Sequence, residues 1–376
     1  MHATRLSAHD LARSTSHSAL VELTRLALFG LLALGLCLVP TSALAVLIST
    51  GDGTGNTTVP SEHPGLANAG TIGALSGIYV RNGWVLTTDH VGVGPLLLDG
   101  VIYEPIPGSA VQFQNPDGTM ADLITFKIEG LPPVPDLLLA EQPLVVGDAL
   151  TMIGNGRDRG LETSWNGLDG WEWLPTQSLR WGTNTVTFTG ATLLNTQAFR
   201  IDFDEITAPL PGEHEADLVE GDSGGGAFVG EGLDERLVGI LFARSVSPSQ
   251  PLGTSLYSND GLIVDLYAYR DDIEAIIDQP DCSDGLDDDQ DGLIDLEDPG
   301  CDDALDSSER GTMYECDNGI DDDGDDLIDF PEDDGCLDPT GMVEAPEPGF
   351  GVLTASAALG LAALRRRRTA RAQRVN

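Results

Sequence analysis

A serine set among glycines, Gly221-Asp222-Ser223-Gly224-Gly225-Gly226, carries the clearest chemical potential in the chain. A hydroxyl is a poor nucleophile unaided. It needs a base for its proton and N–H donors for the oxyanion that forms on the substrate. The glycines permit a tight turn and close substrate approach, and they make the N–H groups of Gly221 and Ser223 candidate oxyanion donors. Read alone, the same letters fit a surface turn, so partners elsewhere must decide. Three of the six histidines (His2, His9 and His17) lie in an N-terminal leader, which leaves His63, His90 and His214. His90 ends the β-rich run Gly83-Trp84-Val85-Leu86-Thr87-Thr88-Asp89-His90, whereas His63 and His214 sit in polar loop sequence that reads as solvated. An Asp that opens an apolar strand, Asp122 in Ala121-Asp122-Leu123-Ile124-Thr125-Phe126-Lys127-Ile128, can accept the Nδ1 hydrogen of His90. Its rivals Asp99, Asp117, Asp136 and Asp148 are flanked by turn residues.

The order His, Asp, Ser resembles the chymotrypsin/trypsin family. An α/β-hydrolase elbow would need a histidine after the serine, and no histidine follows Ser223. Thr87-Thr88-Asp89-His90 is similar to the family's T-A-A-H, with a charged Asp89 in place of a small residue, and the Asp122 strand is similar to D-I-A-L-L-K-L. The resemblance implies an all-β fold, a chymotrypsin-like double β-barrel with a C-terminal helix, spanning residues 70–280. It also implies a serine endopeptidase acting on peptides or proteins, with His90, Asp122 and Ser223 as catalytic residues, Gly221 and Ser223 as the oxyanion hole, and no cofactor for catalysis. Asp217 falls where the family places a pocket-floor carboxylate, which implies a preference for Arg or Lys. Phe242-Ala243-Arg244 replaces the family's S-W-G, and Arg244 is itself a candidate to occupy the acidic pocket. A catalytically inactive adhesion or matrix module on a calcium-stiffened stalk is the alternative that these departures favour. Family members usually bury a freshly cut Ile or Val N-terminus against the Asp before the nucleophile; here that Asp is Asp222 and Val46 is the candidate amine, within an N-terminal segment of residues 46–69.

The elements that must position these residues read as short strands. With 45 Gly, 22 Pro and 6% aromatic residues among 376, the chain is turn-rich β sequence. Ala74 to Leu98 and Val101 to Leu139 supply a first barrel, and a second begins near Val145. Gly261 to Leu266 reads as its last strand, and Tyr269, Ile273, Ile276 and Ile277 have helical spacing. Four of the five tryptophans lie between Trp165 and Trp181 and read as core packing. The net charge of -42 excludes a generic nucleic-acid binder and favours divalent cations.

Beyond Pro280 the composition changes, and residues 281–338 form two units of about 34 residues that begin at Cys282 and Cys316. Asp287, Asp289 and Asp291 alternate before Gly292, followed by Asp295 and Asp298; Asp321, Asp323, Asp325, Asp329 and Glu332 stand in the corresponding places. Oxygen ligands at that spacing suit Ca²⁺, although Asp326 replaces the second turn glycine. Without flanking amphipathic helices, the units resemble thrombospondin type 3 repeats. Pairing Cys282 with Cys301 and Cys316 with Cys336 closes one unit each and needs the least loop closure of the three pairings open to four cysteines.

The two ends read as sorting signals. Residues 1–45 carry arginines, an apolar run and Ala43-Leu44-Ala45, a signal-peptidase pattern. Residues 339–348 form a linker ending in Pro346-Glu347-Pro348, and residues 349–376 hold a small apolar segment and Arg365 to Arg368. This tail resembles a PEP-CTERM signal handled by exosortase-type machinery. The resemblance implies export in a Gram-negative bacterium, transient anchoring in the inner membrane through that segment, and delivery to the periplasm, cell surface or extracellular matrix.

Overall fold

The computed structural model describes residues 46–207 and 213–346. The leader, the apolar tail and most of the P-E-P motif lie outside the described residues. Among the described residues no helix is long and apolar enough to cross a membrane.

Among the described residues, eighteen strands, one α-helix and several 3₁₀ turns make an all-β architecture. After β1 (Leu47–Ile48), the first sheet is built from β2 (Ala69–Ile72), β3 (Leu75–Arg81), β4 (Trp84–Thr87), β5 (Leu96–Leu98), β6 (Val101–Tyr103), β7 (Val111–Gln114) and β8 (Met120–Lys127). Its order is β6-β5-β2-β3-β4-β8-β7. The residues after β6 then turn onto the end of β8: Pro105 bridges Ile128, and Ile106 N–H donates to Lys127 O at 2.9 Å. That bridge brings the β6 end of the sheet round toward β8, while β7 remains an edge strand paired only with β8.

The second unit holds β9 (Ala149–Gly154), β10 (Arg157–Trp165), β11 (Leu168–Gln177), β12 (Arg180–Leu193), β13 (Thr196–Asp202), β14 (Ala216–Asp217), β15 (Gly226–Val229), β16 (Arg236–Ser245), β17 (Thr254–Leu256) and β18 (Asp260–Asp265). Strands β12-β13-β18-β16-β15-β9 form a closed barrel, β10-β11-β17 a three-stranded sheet, and β1 pairs with β14. The fold is thus the chymotrypsin-like, all-β arrangement anticipated from the sequence.

Strand alternation builds the cores. On β3 and β4, Ile78, Val80, Trp84 and Leu86 face a core shared with Phe228, Ile240 and Phe242 of the second unit. The intervening Tyr79 and Val85 join Phe126 and Ile128 inside the first sheet. Both faces are covered, so these strands read as continuous apolar runs; each fully buried large side chain contributes about 1.5–3 kcal/mol.

The final helix, α1 (Arg270–Ile277), begins where expected. Asp271 and Asp272 occupy its first turn, where they complement the helix dipole, and Ile273 and Ile277 bury one face. Just beyond it, Asp278 receives Arg81 through two bonds of 2.8 and 2.9 Å, tying the helix to β3.

Candidate active site

His90 follows β4 and Asp122 lies near the start of the neighbouring β8, so strand pairing brings together two residues 32 apart in sequence. His90 Nδ1 is 2.7 Å from Asp122 Oδ2, and the His90 backbone N–H donates to Oδ1 at 2.8 Å. Both carboxylate oxygens are engaged, which fixes the imidazole orientation and assigns the proton to Nδ1. Burial would raise the Asp122 carboxyl, but the hydrogen bonds from His90 outweigh it and hold the group below its ordinary range. The Asp122 backbone N–H donates to Thr196 Oγ1 of β13 at 2.8 Å, so the pair is referenced to the second barrel as well.

Ser223 arrives from that second barrel on the turn before β15. Ser76 of β3 holds the turn: its N–H donates to Ser223 O at 2.9 Å and its hydroxyl to Gly221 O at 3.1 Å. Thr87, the last residue of β4, donates through Oγ1 to Ser76 O at 2.9 Å. The strand that delivers His90 is therefore one hydrogen bond from the residue that fixes the serine turn. Gly224 closes this contact: its φ is +85°, and a Cβ there would lie 2.0 Å from Ser76 O and 2.2 Å from Thr87 Oγ1. Across the cleft the Phe242 ring lies 6.4 Å from the imidazole, centroid to centroid, and Phe242 lines the same cavity as Ser223.

The turn also presents donors. Glu220 O accepts from Arg157 N–H at 2.9 Å, and because a trans peptide points its C=O and N–H in opposite directions, the Gly221 N–H faces away from Arg157. The N–H groups of Asp222, Gly224 and Gly225 are bonded to Val219, Leu241 and Asp222 carbonyls. Among the described residues none of the backbone hydrogen bonds uses the N–H of Gly221 or Ser223. Those two are the donors the sequence singled out.

Asp222 is buried beneath the turn. Burial pushes its carboxyl up to about 7, against the opposing pull of the Val219, Val46 and Gly156 N–H groups. Val219 N–H donates to Oδ2 at 2.7 Å, while Oδ1 has no hydrogen bond of normal geometry. Val46 itself is fully buried and leads into β1. The backbone nitrogen that cleavage after Ala45 would convert to an amine thus already faces Asp222.

Asp217 is almost wholly buried, but its carboxylate is not free. Arg244 Nη2 donates to Asp217 Oδ2 at 2.6 Å. The Arg/Lys preference expected from an open pocket-floor acid therefore loses its basis, because an internal cation already neutralises it. Trp173, read as core packing, lies over the Arg244 guanidinium at 4.9 Å. His63, read as solvated, is bound through Nδ1 to Glu235 Oε1 at 2.9 Å.

In the C-terminal units both expected disulfides are formed, Cys282–Cys301 and Cys316–Cys336. Asp287, Asp289 and Asp291 bring carboxylate oxygens within 4.8 Å of one another, as do Asp321, Asp323 and Asp325. Asp298 joins Asp289 and Glu309 in a further group. These clusters could hold a metal ion, and the residues fit one: Asp287 Oδ1, Asp291 Oδ2, Asp298 Oδ2 and Asp323 Oδ2 are buried without a partner. Three expected ligands, Asp329, Glu332 and Asp295, are corrected. Asp329 accepts from Asn318 N–H at 3.0 Å and pairs with Arg310 Nη1, so its oxygens are occupied by protein donors. Glu332 is exposed and outside every acidic group, whereas the adjacent Asp333 is buried with Cys336 and Glu344. Asp295 accepts from Gly285 N–H at 3.0 Å and is in no acidic group. Asp326 takes the left-handed turn with φ +76° and donates its N–H to Asp321 Oδ2, matching Gly292 and Asp287 in the first unit.

Glu309 was missed by spacing within the loop. It accepts from the N–H groups of Asp288 and Asp295, both at 2.6 Å, and burial pushes its carboxyl up to about 8. Glu344 receives the N–H groups of Asp322 and Asp329 in the same way. The repeat itself was the available signal, since one Glu closes each unit.

The fold and cleft define a protease-like β architecture. Among solved structures the chain is similar to kallikrein-related peptidase 10 (19% identity, 54% of this chain and 89% of that one, TM-score 0.35). It is also similar to an inactive serine-to-alanine form of Rv3671c from M. tuberculosis (16%, 58% and 96%, 0.35). A third similar structure is the HtrA-type protease AlgW with a decapeptide (19%, 54% and 51%, 0.34). No protein-family profile and no curated protein matches the sequence.

Proposed function

We propose that the chain is an exported serine endopeptidase. The observation that carries this reading is the 2.7 Å His90–Asp122 pair, whose strand is tied through Thr87 and Ser76 to a glycine turn in which no backbone hydrogen bond among the described residues uses the N–H of Gly221 or Ser223. His90 Nε2 takes the Ser223 proton as Oγ attacks the substrate carbonyl carbon. Asp122 stabilises the resulting imidazolium, and the Gly221 and Ser223 N–H groups bind the oxyanion. Collapse expels the amine with the proton from His90 and leaves an acyl-enzyme, which water cleaves by the same steps. Cleavage after Ala45 supplies a Val46 ammonium for the buried Asp222, so that removal of the leader also sets the oxyanion turn. Asp287, Asp289, Asp291, Asp298, Asp321, Asp323 and Asp325, with Glu309, would hold Ca²⁺, which supplies the charge that lets these acids share a buried site. Signal peptidase and exosortase-type machinery would process the two ends at the inner membrane of a Gram-negative bacterium, leaving the enzyme in the periplasm, at the surface or in the matrix.

A fluorophosphonate probe tests the chemistry. Mature protein should label at Ser223, and Ser223→Ala and His90→Ala should not, each losing on the order of 10⁴–10⁶ in rate. Folded wild type that fails to label would favour the inactive adhesion module instead.

A further inference from the structure

The cavity beside Ser223, about 250 Å³, is lined by Leu218, Val219, Phe242, Ala243 and Trp173 together with Arg244. Arg244 is immobilised there. Nη2 donates to Asp217 Oδ2 at 2.6 Å and to Asn259 Oδ1 at 2.7 Å, Nη1 donates to Thr254 O at 3.1 Å, and the guanidinium lies over the Trp173 ring. Asp217 is 1% exposed, so no arriving group reaches it without displacing Arg244. A cationic side chain entering the cavity would meet a fixed guanidinium. An anionic one would enter beside the carboxylate of the lining Glu220. A neutral side chain leaves every existing charge pair intact, and Trp173, Leu218, Val219, Phe242 and Ala243 offer it apolar contact.

We infer that this cavity selects an uncharged, mainly apolar side chain on the acyl side of the cleaved bond and excludes Arg and Lys, with Arg244 as the specificity-determining residue. The inference rests on the endopeptidase reading. It makes Arg244 a built-in occupant of a site that would otherwise take a substrate cation, so its removal should switch specificity rather than only weaken binding.

The test is a fluorogenic peptide set differing only at that position. Wild type should cleave after Leu, Met or Phe with kcat/KM at least about tenfold above Arg, Lys, Asp or Glu. Arg244→Ala should raise cleavage after Arg and Lys by about tenfold or more and should bind p-aminobenzamidine, an aryl amidinium whose fluorescence wild type leaves unchanged. Wild-type preference for a charged residue, amidine binding to wild type, or a folded Arg244→Ala that gains neither property would overturn the inference. Should Arg244→Ala fail to fold, the wild-type profile and wild-type amidine titration still decide. The amidine arm needs no turnover, so absence of fluorophosphonate labelling would defeat the endopeptidase reading separately from the pocket assignment.

Discussion

The Ser223 cleft and the Asp-rich units bury carboxylates by opposite means. In the cleft each acid meets a protein donor: Asp122 has His90, Asp217 has Arg244, and Asp222 has backbone N–H groups. In the C-terminal units acids lie against acids, and Asp291, Asp298 and Glu309 are all pushed upward, chiefly by burial. A buried charge must be paired or neutralised. The cleft thus meets most of its acids with its own donors, whereas the acid clusters of the repeats could be neutralised by a metal ion.

The largest effect that could break this contrast concerns Asp222, the least complete acid of the cleft. Placing one Met ahead of Val46 in the mature protein moves the amine away from Asp222, and loss of a buried pair costs about 3–5 kcal/mol. Labelling should fall by at least about 100-fold; undiminished labelling would show that the backbone N–H groups suffice. Next in size is chelation. If Ca²⁺ at 1,000 times its dissociation constant stabilises the repeats by about 4 kcal/mol, EDTA should strip hydrogen-exchange protection from residues 282–336, and Asp298→Asn should reproduce part of that loss. Protection indifferent to both would mean that the repeats neutralise their acids by protonation instead.

The smallest effect separates burial from function inside the double-barrel unit. Burial pushes Glu215 up to about 8 from an ordinary value of 4.5, so the fold favours its protonated form. The stability it contributes is fully present below about pH 4.5 and is lost as pH rises through 8. Glu215→Gln should therefore raise the Tm at pH 8.5 by about 2–4 °C and leave it nearly unchanged at pH 4, as read by calorimetry. An equal shift at both values would remove titration as the cause.

What the sequence made legible was local. The serine turn, the Asp122 strand, the calcium-type loops and the final helix each sit within a dozen residues, where spacing and alternation act directly. Contacts set by topology were harder to see. Trp173 meets Arg244 only because β11 pairs with β17, which carries Thr254 and Ser255 beside the guanidinium. Arg244 itself could be suspected of filling the pocket over Asp217, but not its contacts with Asn259, Thr254, Ser255 and Trp173. Counting twelve places along the second loop pointed to Glu332, yet the buried acid is Asp333, one residue on, because side-chain direction rather than register along the chain decides which acid turns inward.

One tie gives the two regions a common fate. Lys127, at the far end of the strand that carries Asp122, is buried and bonded to Asp281, Asp284 and Asp288 of the first repeat at 2.8, 2.9 and 2.6 Å. Burial opposes its charge, but these carboxylates outweigh burial and raise its pKa. A fragment ending at Pro280 would strand that ammonium inside the first barrel, so the double-barrel unit is not a detachable cassette: a shorter version has to carry the first repeat along or exchange Lys127 for an uncharged residue.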